Sequence, residues 1–451
     1  MKRSAWRYLW KSVDIRRKLL ITLGILVIYR FAANIPVPGV NREVLQTIFA
    51  TTGQSGGGGN LMQLMDLLSG GTVSTFSVLA MGVYPYITAQ IILQLLMPII
   101  PALERRMKEN PREGRKWMEK WTVILTIPMA GLSAVGQINI FNSIARSSNL
   151  GPVLSFGFSG DVILPTLATL FAMMAGTMFG VWLGQLISEY GIPNQGLSLI
   201  IFAGIVSRMP ASLFGLLQDK TNGWWMFLIV LAILGLTIFA IVFVQQGRRN
   251  VPVLFPGRRV GNRMSMPVRS NLPLMVNMAG MIPLIFAQSI LAFPAIIANF
   301  FVNSEKEWVV NLAMGISNTF GGGNAWYALI YFLMVVAFTF FYTDVLFAQQ
   351  NYGDNLKRQG AQIPGVVRGG PTQRYLTKVQ RRITMPGAVF LGFVAVLPYL
   401  IGMALPVSSN SGLFLISAAG LLIVVGVVRD TFTIIETELK VHGYDESLIK
   451  G

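Results

Sequence analysis

The chain has 451 residues, of which 53% are hydrophobic and 12% charged, with a formal net charge of +17. A soluble globular domain carries about 25% charged residues, so about half of the charge that a water-exposed surface needs is missing. The mean hydropathy is +0.58. These values exclude a soluble enzyme, a disordered chain and a small disulfide scaffold, and they indicate a polytopic membrane protein.

The inventory of reactive side chains is short. There is no cysteine, and the one histidine, His442, lies close to the C-terminus. Disulfides, thiolate metal sites and cysteine nucleophiles are therefore excluded, and histidine triads or proton relays lack a second histidine. We expect His442 to be solvated, and we predict no catalytic residue, metal site or cofactor.

Apolar runs long enough to cross a bilayer occur along the whole chain. The ten candidate spans lie near residues 19–35, 75–98, 121–138, 162–187, 196–208, 224–246, 272–298, 326–347, 385–405 and 411–428. The first run ends in Ile35-Pro36-Val37-Pro38-Gly39 rather than in a small-residue cleavage site. We therefore interpret it as a span and not as a cleaved signal peptide.

Positive charges predict the orientation of these spans. The segments 1–18, 99–120, 247–271, 348–384 and 429–451 hold 30 of the 36 lysines and arginines. The opposite loops hold Arg42, Arg146, Arg208, Lys220 and Lys306, and Arg30 lies near the end of the first span. Because lysine and arginine accumulate in cytoplasmic loops, both termini are expected in the cytoplasm.

Some segments fit a simple helix bundle poorly. Residues 61–68 are apolar but far too short to span, and they follow a glycine run at 56–59, which predicts a re-entrant or half-inserted helix on the external side. The second span contains Pro85, and the fifth is short. Such spans are typical of an interior that lines a cavity, although tilted or kinked helices explain them equally well.

Ionisable side chains are nearly absent from the predicted spans. Asp344 lies near the cytoplasmic end of the eighth span, and none of the runs carries a carboxylate near its middle. Proton pumps and cation-coupled carriers usually need such carboxylates. A pathway through this protein is therefore expected to be lined by aliphatic and neutral polar groups, which gate by excluding water.

Six motifs occur in order along the chain, at residues 35–39, 82–87, 176–184, 201–206, 276–283 and 354–365. They include Gly82-Val83-Tyr84-Pro85-Tyr86-Ile87 and Val276-Asn277-Met278-Ala279-Gly280-Met281-Ile282-Pro283. In these motifs the chain resembles the bacterial SecY family, the central subunit of the general protein-secretion channel. The match runs from the first span into the C-terminal tail.

The resemblance implies the fold class. We expect an all-α polytopic membrane protein with ten transmembrane helices in two pseudo-symmetric inverted five-helix halves around a central pore. The halves are expected at residues 1–208 and 209–428, followed by a cytoplasmic tail at 429–451. An apparent division near 208–224 is compatible with these boundaries.

The resemblance also implies a pore ring. It falls on Val83, Ile87, Ile201, Ile285 and Ile423. Branched aliphatic side chains are stiff and offer no hydrogen bonds, so they can close around a passing chain without holding it. The alternative is that these residues are ordinary core or lipid-facing side chains.

Two further elements follow from the resemblance. The short helix at 61–69 corresponds to a plug, with Leu61, Met62, Leu64, Met65, Asp66, Leu67 and Leu68. A lateral gate is expected between spans 2–3 and 7–8, with the candidates Thr88, Gln94, Asn277 and Phe293. For Asn277 the alternative is a hydrogen bond to the local backbone.

Docking residues are expected in the cytoplasmic loops. Arg258, Arg259 and Arg263 lie in the basic loop 247–271, which suits RNA phosphates. In the loop 348–384, Val367 occupies the position where most bacterial relatives have an arginine, and Arg368 follows one residue later. We assign the docking role to Arg368, on the hypothesis that the glycines at 369 and 370 re-aim its side chain. The alternative is that all these charges only fix the topology.

The function implied is a protein-conducting channel. It passes unfolded secretory polypeptides across the bacterial cytoplasmic membrane and releases transmembrane segments sideways into lipid. No GxxxxGK[ST] nucleotide-binding loop occurs, so a ribosome or the motor ATPase SecA must supply energy, and SecE-like and SecG-like subunits are the expected membrane partners. A small-solute secondary transporter is the rival, and a membrane enzyme ranks third.

Overall fold

The computed structural model of the protein describes most of the chain. It covers residues 13–52, 72–73, 75–101, 103, 105, 110–147, 150–154, 156–157, 162–193, 195–217, 223–256, 259–260, 263–264, 268–301, 306–320, 325–404 and 418–441. The predicted plug at 61–69 and the docking residue Arg258 lie outside the described residues.

Helices make up most of the described chain. In the first part they are α1 (Val13–Ala32), α2 (Arg42–Thr52), α3 (Tyr84–Ile99), α4 (Pro111–Ser147), α5 (Ile163–Tyr190), α6 (Gly196–Leu217) and α7 (Gly223–Gln246). After a β-hairpin follow α8 (Ile282–Phe301), α9 (Glu307–Phe320), α10 (Ala325–Gln350), α11 (Tyr352–Arg358), α12 (Gly370–Ala404) and α13 (Ala418–Val441).

Each predicted span coincides at least in part with one of these helices. Four described stretches are long and apolar enough to cross a membrane, namely Glu113–Asn142, Ile163–Tyr190, Phe227–Gln246 and Trp326–Arg358. The second span begins later than predicted, because residues 75–83 form turns in which Gly82 has a φ of +54°. Pro85 then occupies the first turn of α3, where its missing N–H costs no helical hydrogen bond.

The seventh span was predicted from residue 272, which is wrong. Residues Val268–Met275 form strand β4, which pairs antiparallel with β1 (Arg248–Phe255), and the helix begins only at Ile282. Short strands β2 (Arg259–Val260) and β3 (Arg263–Met264) pair near the tip of this hairpin. Leu274 of β4 is buried and Leu272 is half-buried in a small apolar core outside any span, so hydropathy alone mistook this strand for the start of a span.

The described chain divides into two compact units. The first comprises Met1–Ala232, Ser289–Tyr327 and Pro398–Gly451, and the second comprises Ile233–Gln288 and Ala328–Leu397. These boundaries differ from the halves that the resemblance implies, and the inverted halves at 1–208 and 209–428 stay a prediction.

The first unit is held together by helices that approach closely. Helix α5 packs against α1, α4 and α6, and α6 also packs against α13. A Cβ atom on Gly176 would lie 2.1 Å from the carbonyl oxygen of Val78, and one on Gly196 would lie 1.7 Å from that of Gly184. Small residues of this kind let backbones touch where no water drives association.

The second unit contains a compact apolar core. Its buried apolar residues come from the hairpin, from the end of α10, from α11, from the loop before α12 and from α12 itself. They are Val251, Val253, Leu274, Phe347, Leu356, Ala361, Ile363 and Leu376.

Candidate functional site

The pore-ring candidates at the start of α3 are close to each other. Val83 directly precedes α3, and its carbonyl oxygen accepts the backbone N–H of Ile87 at 3.2 Å. The Val83 side chain is buried and packs against Gly180 of α5, whereas Ile87 is half-buried.

The other three ring candidates lie on separate helices. Ile201 is half-buried on α6, Ile423 is buried on α13, and these two helices pack against each other. Ile285 is buried near the start of α8, in the second unit. Four of the five residues therefore belong to the first unit, and their convergence on one constriction stays a prediction.

Two polar lateral-gate candidates, Thr88 and Gln94, lie on α3. The Thr88 hydroxyl donates a hydrogen bond to the carbonyl oxygen of Tyr84 at 3.1 Å. Gln94 is half-buried two turns later on the same helix. Phe293 belongs to α8, whose backbone the structure describes there.

Asn277 lies in the turn between β4 and α8 and is almost completely buried. Its Nδ2 donates to the carbonyl oxygen of Gly280 at 3.1 Å, so the local backbone bond considered as the alternative is present. Its Oδ1 has no partner among the described residues. A buried amide oxygen without a donor is costly, and it leaves Asn277 capable of a further hydrogen bond. The gate role itself stays a prediction.

The two loops that hold the docking candidates fold together. Leu254 of β1 and Gln362 exchange both backbone hydrogen bonds, at 2.8 and 2.9 Å. The buried core described above joins the same two loops through their side chains. The loops 247–271 and 348–384, which are far apart in sequence, therefore form one body, which we call the docking platform.

Arg368 lies in an exposed turn of the docking platform, immediately before α12. Gly365 and Gly369 flank this turn with φ values of +79° and +95°, which favour glycine. Gly369 thus takes the conformation that the sequence suggested, while Gly370 begins α12. The Thr372 hydroxyl donates to the carbonyl oxygen of Val367 at 2.7 Å and fixes the turn to the helix. Arg368 and Val367 are both exposed.

Arg259 and Arg263 lie on the short strands at the hairpin tip. Arg259 pairs with Met264, and Arg263 pairs with Val260. Their positions on adjacent strands bring two arginines to the same end of the hairpin.

The base of the β1–β4 hairpin, at Gly247, Met275 and Val276, which we call the hairpin root, contacts α12 and is followed by the turn that leads to α8. The backbone N–H of Val276 donates to the carbonyl oxygen of Gly247 at 2.9 Å. The Gln380 Nε2 donates to the carbonyl oxygen of Met275 at 3.1 Å, and a Cβ on Gly387 would lie 2.8 Å from the Val276 oxygen. Sequence reasoning missed Gln380 and Gly387, because nothing in their local pattern indicates a distant partner.

One arginine of α12 is engaged in an ion pair. Arg381 Nε lies 3.1 Å from both carboxylate oxygens of Asp344, on α10. The hydrogen bond to Asp344 raises the pKa of Arg381, which therefore stays charged. This ion pair distinguishes Arg381 from the neighbouring arginines Arg374 and Arg382, whose side chains are exposed.

Comparisons with known proteins agree with this architecture. The profile of the SecY family matches residues 77–432. A protein translocase subunit SecY of Streptomyces scabiei is 36% identical over 98% of this chain and 99% of its own length. That of Thermotoga maritima is 37% identical over 99% of this chain and 98% of its own.

Solved structures share the fold. A SecY structure that addresses the plug domain and the closed translocation channel has a TM-score of 0.61 at 17% identity, covering 99% of this chain and 100% of that one. Sec61 in the canine ribosome–channel complex has a TM-score of 0.55 at 18% identity, with the same coverage. The full-length matches favour a channel over a small-solute carrier. The chain therefore belongs to the SecY family, and it is a protein-conducting translocation channel and not an enzyme.

Proposed function

We propose that the channel is closed by the aliphatic ring Val83, Ile87, Ile201, Ile285 and Ile423. None of these side chains offers a hydrogen bond, and Val83, Ile285 and Ile423 are buried in the structure. A constriction lined in this way presents a dewetting barrier to water and ions. An unfolded polypeptide passes because these aliphatic side chains form no hydrogen bonds that would hold it.

Two movable elements complete the gate in this proposal. The segment 61–69 acts as the plug, supported by the related SecY structure, whose plug domain stabilises its closed state and maintains a membrane seal. Apolar segments of the substrate leave sideways into lipid past α3, which carries Thr88 and Gln94, and past α8, which carries Phe293 and is preceded by the turn that holds Asn277.

We assign the cytoplasmic docking of a partner to the docking platform, and its fold is the single observation that carries the proposal. Backbone pairing of Leu254 with Gln362 and a shared buried core make one rigid surface from two loops. This surface exposes Arg368 and carries Arg259 and Arg263 at its hairpin tip. A preordered basic surface binds RNA phosphates without a further cost of ordering the loops.

The expected partners follow from this surface and from the family. Sec61 is similar in fold and was solved in a ribosome–channel complex, which supports a ribosome as one partner. The motor ATPase SecA is the second energy source in the proposal. SecE-like and SecG-like subunits complete the membrane complex.

The hydrogen bonds at the hairpin root provide a route from the docking platform to the gate. Gln380 holds the carbonyl oxygen of Met275, and Asn277 holds that of Gly280, so the turn before α8 is braced at both ends. A partner that displaces the platform therefore displaces the start of α8, which carries Ile285.

We place the chain in the bacterial cytoplasmic membrane with both termini in the cytoplasm. Lys18 of α1 forms an ion pair with Glu438 of α13, which supports a common side for the start of α1 and the end of α13. The excess of lysine and arginine in the loops that share this side supports the cytoplasm as its location.

The test compares two exposed arginines of the docking platform. Arg368→Glu is expected to reduce precursor export by about tenfold or more, because charge reversal at a phosphate or carboxylate contact costs several times RT. Arg374→Glu, an equally exposed change six residues later on α12, is the control and is expected to leave export near the wild-type level. Export of a secretory precursor into inverted membrane vesicles measures both.

Arg381 is not a suitable control, because its loss also breaks the ion pair with Asp344. Ribosome binding measured at increasing salt distinguishes the ribosome from SecA as the partner of Arg368. If Arg368 contacts ribosomal RNA, Arg368→Glu weakens ribosome binding and reduces its salt dependence; if it contacts SecA, ribosome binding is unchanged. Equal and mild effects of Arg368→Glu and Arg374→Glu would show that Arg368 serves topology alone.

A further inference from the structure

Helix α9 connects the region of α8 to that of α10 and has three distinct faces. One face packs against the protein, since Ala313 is buried and Val309, Ile316 and Phe320 are half-buried. These positions recur at the spacing of one face of a helix. The exposed surface of α9 carries two stripes, and Met314, which is 48% exposed, borders the second of them on the side away from the first.

The first exposed stripe is apolar and the second is polar. Trp308 and Leu312 are one turn apart, with exposed fractions of 66% and 54%. Glu307 and Asn311 are also one turn apart and exposed. Because successive residues are turned by about 100° around the axis, the two stripes face directions about 100° apart.

The dimensions of α9 exclude a transmembrane position. Its 14 residues make a helix about 21 Å long, which is shorter than the roughly 30 Å hydrocarbon core. Exposure of a tryptophan and a leucine on adjacent turns is unfavourable in water. At the boundary between water and lipid, one face of the helix contacts the protein, the apolar stripe contacts lipid and the polar stripe contacts water.

Neighbouring helix ends present the same kind of side chain. Phe301, the last residue of α8, is exposed, and Trp326 near the start of α10 is exposed as well. Aromatic side chains are therefore exposed before α9, near its start at Trp308, and after it. Tryptophan in particular accumulates at the headgroup level of membranes, where its apolar ring and polar N–H are both accommodated.

We propose that α9 lies in the plane of the membrane interface, with Trp308 and Leu312 inserted into phospholipid and Glu307 and Asn311 in water. The partner of this surface is the phospholipid leaflet itself. Under the proposed orientation it is the external leaflet, and only that assignment rests on the proposed function. The helix then holds the adjoining ends of α8 and α10 at headgroup depth.

Single-cysteine spin labelling tests the proposal on the full chain, which contains no native cysteine. Leu312→Cys and Asn311→Cys are labelled with a nitroxide in vesicles of phosphatidylethanolamine and phosphatidylglycerol. Leu236→Cys on the exposed surface of α7 serves as the lipid reference, and Val268→Cys on β4 serves as the water reference; both native side chains are exposed. Collision rates with oxygen and with a water-soluble nickel chelate are measured for each label.

The expected oxygen-to-nickel ratio at 312 is at least about fivefold higher than at 311, because oxygen concentrates in lipid and the chelate does not. Trp308→Cys repeats the measurement at the second inserted position. Ratios at 308 and 312 equal to that of the water reference would overturn the proposal. Shielding of both positions from both reagents would also overturn it, because a protein partner would then cover the stripe.

A separate measurement tests the external location of α9 independently of its interfacial position. A membrane-impermeant thiol reagent is expected to reach Asn311→Cys only from the side opposite to Val268→Cys. Labelling of both from one side would overturn the external assignment, and the collision ratios would still decide the interfacial one.

Discussion

Helices α5 and α7 are both long and apolar, yet they have opposite surroundings. In the most apolar 18-residue stretch of α5, 44% is buried inside the protein, whereas the corresponding stretch of α7 is 17% buried. The buried positions of α5 include Gly176, Thr177, Gly180 and Gly184. On α7 the large side chains Leu236, Phe239 and Phe243 are each more than two-thirds exposed.

The difference shows which residues mark the interior of a membrane protein. Lipid is as apolar as leucine, so burial between helices gains nothing from hydrophobicity and depends on close packing. Glycine allows this packing, and threonine is tolerated because its hydroxyl bonds to the preceding turn. Thr177 donates in this way to Met173 at 3.2 Å. Small and hydroxyl residues, rather than large apolar ones, therefore identify the inner helix.

The largest expected effect comes from enlarging a glycine of α5. In Gly176→Leu the new Cβ would lie 2.1 Å from the backbone oxygen of Val78, so α5 and the turn that contains Val78 must separate. We expect a loss of stability of about 3 kcal/mol or more, measured as loss of monodisperse protein and a lower midpoint of thermal unfolding in mild detergent.

The control is the same change on α7. Nothing lies within 4 Å of a Cβ on Gly235, so Gly235→Leu is expected to leave the midpoint unchanged. Similar losses in both variants would contradict the contrast between the two helices.

A second effect distinguishes the aliphatic residues of the ring from aliphatic residues on the exposed surface of α7. Ile87→Gly combined with Ile285→Gly is expected to raise the ion conductance of the resting channel several-fold, because the gap admits water and removes the dewetting barrier. Leu236→Gly on the exposed surface of α7 is the control and should not leak. Planar-bilayer recordings measure all three proteins, and a wild-type conductance in the double variant would contradict the ring.

A smaller effect is expected at the hairpin root. Gln380→Ala removes the hydrogen bond to the carbonyl oxygen of Met275, which costs about 1 kcal/mol for a buried pair. The exposed Arg382→Ala on the same helix should cost less than half as much. Denaturant titration followed by hairpin-specific labelling compares the two variants, and an unchanged midpoint for Gln380→Ala would show that the packing of Gly387 and the hydrogen bond from Val276 to Gly247 hold the root without Gln380.

The smallest effect is expected at the ion pair of Arg381 with Asp344. The Arg381 side chain is 62% exposed, so the pair contributes below about 1 kcal/mol and is screened by salt. Arg381→Ala should therefore lower the unfolding midpoint slightly at low ionic strength and not at high ionic strength. A salt-independent loss would point to packing of the arginine stem instead.

The sequence predicted the apolar helices well, because a run of apolar residues has few other fates in a chain this poor in charge. It placed α8 too early, because Leu272 and Leu274 belong to β4 and pack within the docking platform rather than in lipid. Hydropathy does not distinguish these two apolar surroundings. The helices α2 and α9 were missed because neither is a run long enough to span.

The candidate site was predicted unevenly, and the reason is again physical. The turn at Arg368 was anticipated only in part: of the two glycines that the sequence hypothesis named, Gly369 has a positive φ and Gly370 begins α12, while the positive φ of Gly365 was not anticipated. The hydrogen bond from Gln380 to Met275 joins residues 105 positions apart in sequence. No local pattern encodes such a pair, so it became visible only in the folded chain.

The exchange of backbone hydrogen bonds between Leu254 and Gln362 has a consequence for the transfer of segments between relatives. A chimera that receives a foreign 247–271 alone must pair a new strand with the old 361–363 segment and repack Val251 and Val253 against unfamiliar neighbours. Transplanting 247–271 together with 348–384 preserves both. The two loops therefore act as a single structural module, although about eighty residues and the three helices α8, α9 and α10 separate them in the sequence.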